Sequence, residues 1–341
     1  MRVVVVGATG AVGLNILSIL EERAFPVGEL IPVASPRSVG RKLPFKDGTV
    51  EVVGLDPNVF AGADLAIFDV DDPLAAEWAP IAVEQGAIVV DNSAAWRMDP
   101  EVPLVVPEIN PEAAQQRPKG IIASPNCTTL AMIVPVAVLH RQTPVERLIL
   151  SSYQAASGAG KPGIDDLWAQ TLAAGEVPDV TTLGRAGDLL QAGKAFAHPI
   201  AMNFIPQCGS VKEDGYTSEE LKLCYETRKI MGLPDLMVTA TCVRVPVMVS
   251  HGVAVHAEFR DPIDPDHARK WLSEADGVEV MDDPSNGVYP TALIATGKDP
   301  CFVGRIRKDP FNERALEMFC VADNLRKGAA LNTVQVAELL V

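Results

Sequence analysis

Paired cysteine motifs, positive charge and long apolar runs are what this sequence lacks, and each absence excludes something. The six cysteines (Cys127, Cys208, Cys224, Cys242, Cys301 and Cys320) contain no CxxC pair and no zinc-ligand spacing. No metal site is therefore expected, and a disulfide framework is not expected in a chain this long and apolar. Aromatic residues make up 5% of the chain. Lysine and arginine number 29 against 44 acidic residues, a formal net charge of −15. Nucleic acids and anionic membranes need a basic footprint and are poor partners for such a chain. No apolar run approaches the roughly 18 residues of a membrane span. The Val3–Val6 run behind Met1-Arg2 is too short for a signal segment, so a cytoplasmic protein is expected. There is no repeat, low-complexity tract or long linker. What is present is 48% hydrophobic residues over 341 positions, material for about two domains.

The first 95 residues alternate strand-like and helix-like segments. Strands are expected at Arg2–Val6, Leu30–Ala34, Leu65–Phe68 and Ala87–Asp91, and helices at Ala11–Glu22 and Leu74–Gln85. Strands joined by helical crossovers mean a parallel, Rossmann-like α/β sheet. After about residue 145 the pattern changes. Leu148–Tyr153, Val238–Val245, Val253–Phe259, Phe302–Arg307 and Ala315–Ala322 read as a mostly antiparallel sheet in an α+β domain. Asn324–Leu340 reads as a helix returning to the first domain. The expected division is 1–130 with 324–341, and 131–323.

Two local motifs carry chemistry. Gly7-Ala8-Thr9-Gly10-Ala11-Val12-Gly13 joins the first strand to the first helix. Glycines there permit a tight turn, and the helix start offers free N–H groups to a pyrophosphate. The second strand ends in Ser35-Pro36-Arg37-Ser38 rather than an acidic residue. Arg37 and Ser38 suit a 2′-phosphate, which favours NADP, although a solvated loop arginine would read the same. The second motif is Ser124-Pro125-Asn126-Cys127-Thr128-Thr129, where Asn126 is a good N-cap for a helix running to His140. Cys127 then lies in a first helical turn, where the thiolate is favoured and N–H groups await an oxyanion. A buried, inert cysteine is the plainer alternative. Of five histidines, His251 at a strand break is a candidate base. His140 reads as a helix C-terminal partner, and His256 and His267 as surface residues.

Taken in order, these and further segments resemble the aspartate-semialdehyde dehydrogenase family over nearly the whole chain. The matching runs are GATGAVG at 7–13, Arg37-Ser38, DNSAAWR at 91–97, PLVVPE at 103–108 and SPNCTT at 124–129. They continue with SYQAASGAG at 152–160, ETRKI at 226–230, CVRVP at 242–246 and NLRKGAALN at 324–332. The resemblance implies NADPH-dependent reduction of L-aspartyl 4-phosphate to L-aspartate 4-semialdehyde through a cysteine thioester, in lysine, threonine, methionine and isoleucine biosynthesis. It implies that Cys127 is the nucleophile, His251 the general acid/base, and Gln154 an orienting residue. Arg244 and Glu219 would bind the substrate carboxylate and ammonium, and Arg97, Asn126 and Lys222 its phosphate. Gly7, Thr9, Gly10, Ala11, Val12, Arg37, Ser38, Ser157, Gly158 and Asn324 would contact NADP. A homodimer or homotetramer is implied. Glu219 and Lys222 also have the spacing of an ordinary solvated helical ion pair.

Three departures from the family pattern stand out. A small turn near the cofactor is replaced by Asp69-Val70-Asp71-Asp72, whose carboxylates would oppose a phosphate unless they point away. The usual Gly-His-Ser around the base is Ser250-His251-Gly252, and an Asn before Pro-Asn-Cys is Ser124. An N-acetyl-gamma-glutamyl-phosphate reductase-like enzyme and a non-catalytic nucleotide-binding paralogue are the alternatives. Anionic ligands in so acidic a chain require a local reversal of charge, expected from Arg37, Arg97, Lys222 and Arg244.

Overall fold

A run of valines with no polar alternation suits a strand covered on both faces, and Val3, Val4 and Val5 have no exposed surface. The computed structural model, which describes residues 1–175 and 186–341, places them in β1 (Arg2–Val6). With β2 (Glu29–Val33), β3 (Leu65–Phe68), β4 (Ile88–Asp91) and β5 (Ile121–Ala123), β1 builds a five-stranded sheet. Every pairing is parallel, in the order β2-β1-β3-β4-β5. The order reverses between β1 and β3, and doubly wound sheets bind ligands at the carboxyl ends of strands beside such a reversal. Helix α1 (Ala11–Glu22) buries Ile16, Leu17, Ile19 and Leu20 in the sheet's core. Helix α2 (Asp72–Glu84) starts two residues before its expected Leu74, because Asp71 caps the Leu74 N–H.

Met1–Asn126, Tyr225–Pro234 and Leu325–Val341 pack as one unit, and Cys127–Cys224 with Asp235–Asn324 as a second. The grouping of 225–234 with the first unit has a visible cause. Lys229 Nζ donates to the carbonyls of Arg97, Asp99 and Val102, each at 2.7 Å. The expected C-terminal helix is divided into a wide π-type turn over Arg326–Ala330 and an α-helix over Leu331–Glu338. The wide turn carries Lys327, 1% exposed, whose Nζ donates to both oxygens of Glu108 at 2.7 and 2.8 Å and to Gln335 at 2.9 Å.

The second unit is built on a six-stranded sheet. Its strands are β6 (Val145–Gln154), β7 (Met237–Arg244), β8 (His251–Phe259), β9 (Val278–Val280), β10 (Cys301–Lys308) and β11 (Ala315–Ala322), ordered β9-β10-β11-β8-β6-β7. The three central pairings are antiparallel, and the two outer ones, β6/β7 and β9/β10, are parallel. On β8 the buried Val253, Val255, Ala257 and Phe259 alternate with half-buried Ala254, His256 and Glu258. The outward face also presents Ile149, Tyr153 and Met237, all exposed. Among the described residues no helix is long and apolar enough to cross a membrane.

Lys327 is the most completely buried cation of the first unit. Replacing it alone by alanine takes the buried cation away from Glu108, itself 10% exposed as a side chain. The expected loss is about 3–5 kcal/mol of unfolding free energy in urea titrations. The double variant Lys327→Met, Glu108→Met should recover most of that loss, because both buried charges are then gone.

Candidate active site

Sheet register brings the second unit's polar residues together. In the parallel β6/β7 pair Gln154 stands opposite Arg244, both at the strand ends, and on the other side of β6 Tyr153 pairs with Gly252, next to His251. His251 is 1% exposed and its Nε2 lies 3.3 Å from Cys127 Sγ. Its Nδ1 accepts the backbone N–H of Ala155 at 3.0 Å. A backbone amide can only donate, so a neutral ring must carry its proton on Nε2, facing the sulfur. Burial, reinforced by the charge of Arg244 and opposed by Glu219, lowers the His251 pKa to about 3. The imidazole is therefore neutral at physiological pH.

The helix behind Cys127 is shorter than expected. Cys127–Leu130 forms a single helical turn, α3, and Ile133–His140 a separate helix, α4. Pro135 has no N–H to offer the Ala131 carbonyl and its ring crowds that turn, which breaks one helix into two. A single turn has little macrodipole. The His251 Nε2–H is placed to stabilise a Cys127 thiolate in this unit.

The residues flanking His251 explain its altered neighbours. Ser250 has φ +80°, a left-handed conformation that glycine adopts freely and serine does not. Its N–H donates to Asn324 Oδ1 at 2.8 Å and its hydroxyl lies 2.9 Å from that of Thr296. A Cβ on Gly252 would come within 2.9 Å of Phe319. The Asn324 side chain also bonds Ser157, with its Nδ2 2.9 Å from Ser157 Oγ. A Cβ at Gly158 would meet Arg244 Nη1 at 2.6 Å and the His251 ring at 3.2 Å. Ser157, Gly158 and Asn324, which the resemblance assigns to the cofactor, thus all help to shape the surroundings of His251.

Arg244, 7% exposed, donates from Nη1 to the Ala155 carbonyl at 2.6 Å and stacks over Phe196. Its Nε and Nη2 have no partner among the described residues, leaving one edge of the guanidinium for a carboxylate. Gln154 Nε2 donates to Thr128 Oγ1 and to Glu219 Oε1, while its Oε1 is buried and unsatisfied. Helix α5 (Ser218–Met231) distinguishes its two leading glutamates. Glu220 and Thr217 cap one another, and Glu220 also accepts the Cys242 N–H at 3.0 Å. Glu219 instead faces Gln154 and pairs with Lys222 at 3.2 Å.

In the first unit Arg97 is buried and every guanidinium nitrogen is engaged. Nη1 pairs with Glu226 at 3.0 Å, Nε donates to Ser124 O at 2.9 Å and Nη2 to Asn92 O at 2.6 Å. Two of its five N–H groups stay available to an anion. Glu226 Oε2 accepts the backbone N–H of Asn126 at 2.7 Å, which secures the residue before Cys127. Glu226 lies in a family-like segment but has no role in the sequence reading; its signal was a carboxylate on the apolar side of a helix. Thr128 and Ser250 are likewise new. The 7–13 loop is tightly built: a Cβ at Gly7 would strike the Asp69 carbonyl at 2.0 Å, and one at Gly13 the Gly7 carbonyl at 2.2 Å. Thr9 and Ser38 hydroxyls meet at 3.5 Å. Arg37 sits on the exposed turn Pro36–Ser38 with no partner among the described residues.

His256 corrects the surface reading. It is half-buried, with Nδ1 2.6 Å from Glu317 and Nε2 3.3 Å from Glu258. Its net pKa is raised: burial opposes the charged form, but hydrogen bonds donated by the ring to the two glutamates outweigh it. With Asp309 and Glu317 it forms a group with metal-ligand spacing among the described residues.

Comparison with known proteins gives one consistent answer. The family model for the semialdehyde dehydrogenase NAD binding domain matches residues 2–117, and that for the semialdehyde dehydrogenase dimerisation domain matches 136–327. The chain is 48% identical to the aspartate-semialdehyde dehydrogenase of Aquifex aeolicus (strain VF5) over 342 residues, 100% of this chain and 98% of that protein. It is 46% identical to the enzyme of that name from Streptomyces akiyoshiensis, again over 100% and 98%. The crystal structure of aspartate semialdehyde dehydrogenase II from Vibrio cholerae, complexed with ASA, superposes with a TM-score of 0.92 at 42% identity, covering 99% of this chain and 97% of that one.

The cysteines should differ sharply in reactivity. Burial pushes the Cys208 thiol up to about 12 and raises Cys242 and Cys320 as well, while Cys224 and Cys301 are buried. Brief treatment of the folded protein with iodoacetamide near pH 7.5, followed by peptide mapping, should label Cys127 and leave the other five (pH chosen at roughly neutral, below free thiol pKa).

Proposed function

The chain belongs to the semialdehyde dehydrogenase family, and from that premise we propose how its residues carry out the reaction. The enzyme reduces L-aspartyl 4-phosphate to L-aspartate 4-semialdehyde with release of phosphate, in the biosynthesis of lysine, threonine, methionine and isoleucine. The observation that carries this reading is Cys127 Sγ 3.3 Å from the Nε2 of a buried neutral His251. The Cys127 thiolate attacks the acyl carbon, an S–C bond forms and the C–O bond to phosphate breaks. When bound, the reduced nicotinamide supplies a hydride. His251 holds its Nε2 proton against the sulfur and then against the oxygen of the tetrahedral carbon. Collapse of that adduct releases the aldehyde and restores the thiolate. The acid/base role of His251 is to hold this one proton, because an imidazolium would forfeit the Ala155 N–H bond.

Substrate recognition follows from the open valences. The unpartnered Nε and Nη2 edge of Arg244 takes the substrate carboxylate, and Glu219 its ammonium. Gln154 Oε1, buried and unsatisfied, orients the acyl group. Lys222 and the remaining N–H groups of Arg97 serve the phosphate, with Asn126 beside the nucleophile. An N-acetylated glutamyl substrate has no ammonium for Glu219, and a non-catalytic paralogue would not keep Cys127 and His251 in contact. The close-built glycine loop fits a dinucleotide, with Gly7, Thr9, Gly10, Ala11 and Val12 as its cradle. Exposed Arg37 beside Ser38 selects NADP through the 2′-phosphate. A second copy of the chain covers the outward face bearing Ile149, Tyr153 and Met237, giving a homodimer.

Phosphate-dependent NADP reduction with aspartate semialdehyde tests this directly. Cys127→Ala should abolish turnover, and N-acetylglutamate semialdehyde should not replace the substrate. His251→Ala should lower kcat by roughly 10²–10³-fold, the usual loss for one oxyanion donor. His251→Gln, which can still present an N–H, should retain more activity. Any acid limb of the wild-type pH profile near 6.5 should survive in His251→Gln, since His251 stays neutral well below that pH. Arg37→Ala should weaken NADPH binding about tenfold or more and leave NADH binding nearly unchanged, consistent with loss of a charged hydrogen bond.

A further inference from the structure

The end of β3 places a carboxylate where a dinucleotide loop usually keeps open space. The Asp69 N–H donates to the Val6 carbonyl at 2.9 Å, which draws the segment against the glycine loop. A methyl group on Gly10, the residue that opens α1, would stand 3.8 Å from Asp69 Oδ2. In folds of this kind the cofactor's pyrophosphate lies on that helix start. The other acids nearby are engaged. Asp71 caps the Leu74 N–H, Asp72 accepts the Ala94 N–H at 2.8 Å, and Asp91 accepts the N–H and O–H of Ser93. For Asp69 the donor at hand is the Asn92 amide, which tempers its acidity without a well-aligned hydrogen bond.

Among the described residues no cation is placed to act on Asp69. The loop from Gly7 to Gly13 carries no charged residue. From β4 it faces Asn92 and the like charge of Asp91, and Asp91 in turn feels Asp72 of α2. Loss of hydration pushes the Asp69 carboxyl up to about 6, with Asn92 opposing the rise and Asp91 adding to it. An ionised carboxylate offers a phosphate only acceptors, whereas a protonated one offers a donor.

We propose, resting on the nicotinamide-dinucleotide reading above, that Asp69 meets the cofactor's pyrophosphate as a neutral acid whose O–H donates to a phosphate oxygen. Each binding event then takes one proton from solvent onto Asp69, and cofactor affinity falls as pH rises. The dependence originates in this chain's own departure at positions 69–72, not in the substrate chemistry.

The test is NADPH binding, without turnover. Fluorescence titrations of wild type, Asp69→Asn and Asp69→Ala should be run between about pH 6 and 9, with folding checked by thermal unfolding. Wild-type Kd should rise toward about tenfold per pH unit above neutrality, the limit for one linked proton. The two variants should show only the shallower change from the ligand's own 2′-phosphate, which titrates near about 6. Calorimetry at about pH 8 in two buffers of different ionisation enthalpy should count close to one more proton taken up by wild type than by Asp69→Asn. Identical profiles and proton counts in wild type and the variants would overturn the proposal while leaving the cofactor reading intact. So would wild-type affinity that weakens toward pH 6 more steeply than that of Asp69→Asn, the sign of an ionised Asp69 accepting from sugar hydroxyls. Folded wild type and variants that all fail to bind NADPH would overturn the cofactor reading, and the proposal with it.

Discussion

The hydrogen bond from the Ala155 N–H to His251 Nδ1 is the constraint on which the arrangement around Cys127 depends. Enzymes commonly orient a catalytic imidazole with a carboxylate, which accepts from the ring and leaves the other nitrogen free as a base. A backbone donor does the reverse. It occupies Nδ1 as an acceptor and forces the proton to Nε2, 3.3 Å from Cys127 Sγ. Burial and Arg244 then keep the ring uncharged. Ala155 follows Gln154 at the end of β6, and Gln154 sits opposite Arg244 in register. One sheet terminus therefore sets the tautomer of the base, the position of the orienting amide and the direction of the guanidinium. Gly158 completes the arrangement by leaving room for Arg244 and His251 alike.

A chain with a formal charge of −15 still binds its most important cations internally. Arg97 pairs with Glu226, Lys327 with Glu108, and Lys229 with three carbonyls of the 97–102 segment. Such pairs seldom raise stability over an apolar alternative, because both charges lose their hydration. They do specify geometry. Glu226 serves Arg97 with one oxygen and the Asn126 N–H with the other, so a buried ion pair holds the backbone that leads into the nucleophile.

Much of this was legible in the sequence, for reasons that differ by residue. The parallel sheet follows from short β-branched runs that are fully buried, and those leave few other readings. Local context and family resemblance single out Cys127 and His251, which lie 3.3 Å apart, and Gln154 and Arg244, which stand opposite one another in the sheet. The choice of Glu219 over Glu220 rested on resemblance and spacing, and the capping of Thr217 by Glu220 supports it physically. Other features depend on contacts between distant segments. The divided helix after Cys127 is a local effect instead, since Pro135 stands inside the run expected to be helical. Nothing in an alternating strand shows that His256 will find Glu317 on β11 and Glu258 two residues along its own strand. The grouping of 225–234 with the first unit requires Lys229 to find carbonyls more than a hundred positions away.

The exchanged neighbours of His251 show why a motif can be rewritten around a fixed catalytic residue. Position 250 needs a left-handed backbone, and serine there costs about 1–2 kcal/mol relative to a relaxed conformation. The N–H bond to Asn324 and the hydroxyl contact with Thr296 offset that cost. Position 252 needs space, since Phe319 leaves none for a Cβ. Exchanging the two small residues therefore moves strain onto 250 and relieves crowding at 252, and the imidazole between them keeps the same bond to Ala155. The strain persists because Asn324 is itself held by Ser157, beside Gly158. Three residues associated by resemblance with the cofactor thus also hold His251 in place, so a change at any one of them acts on the imidazole.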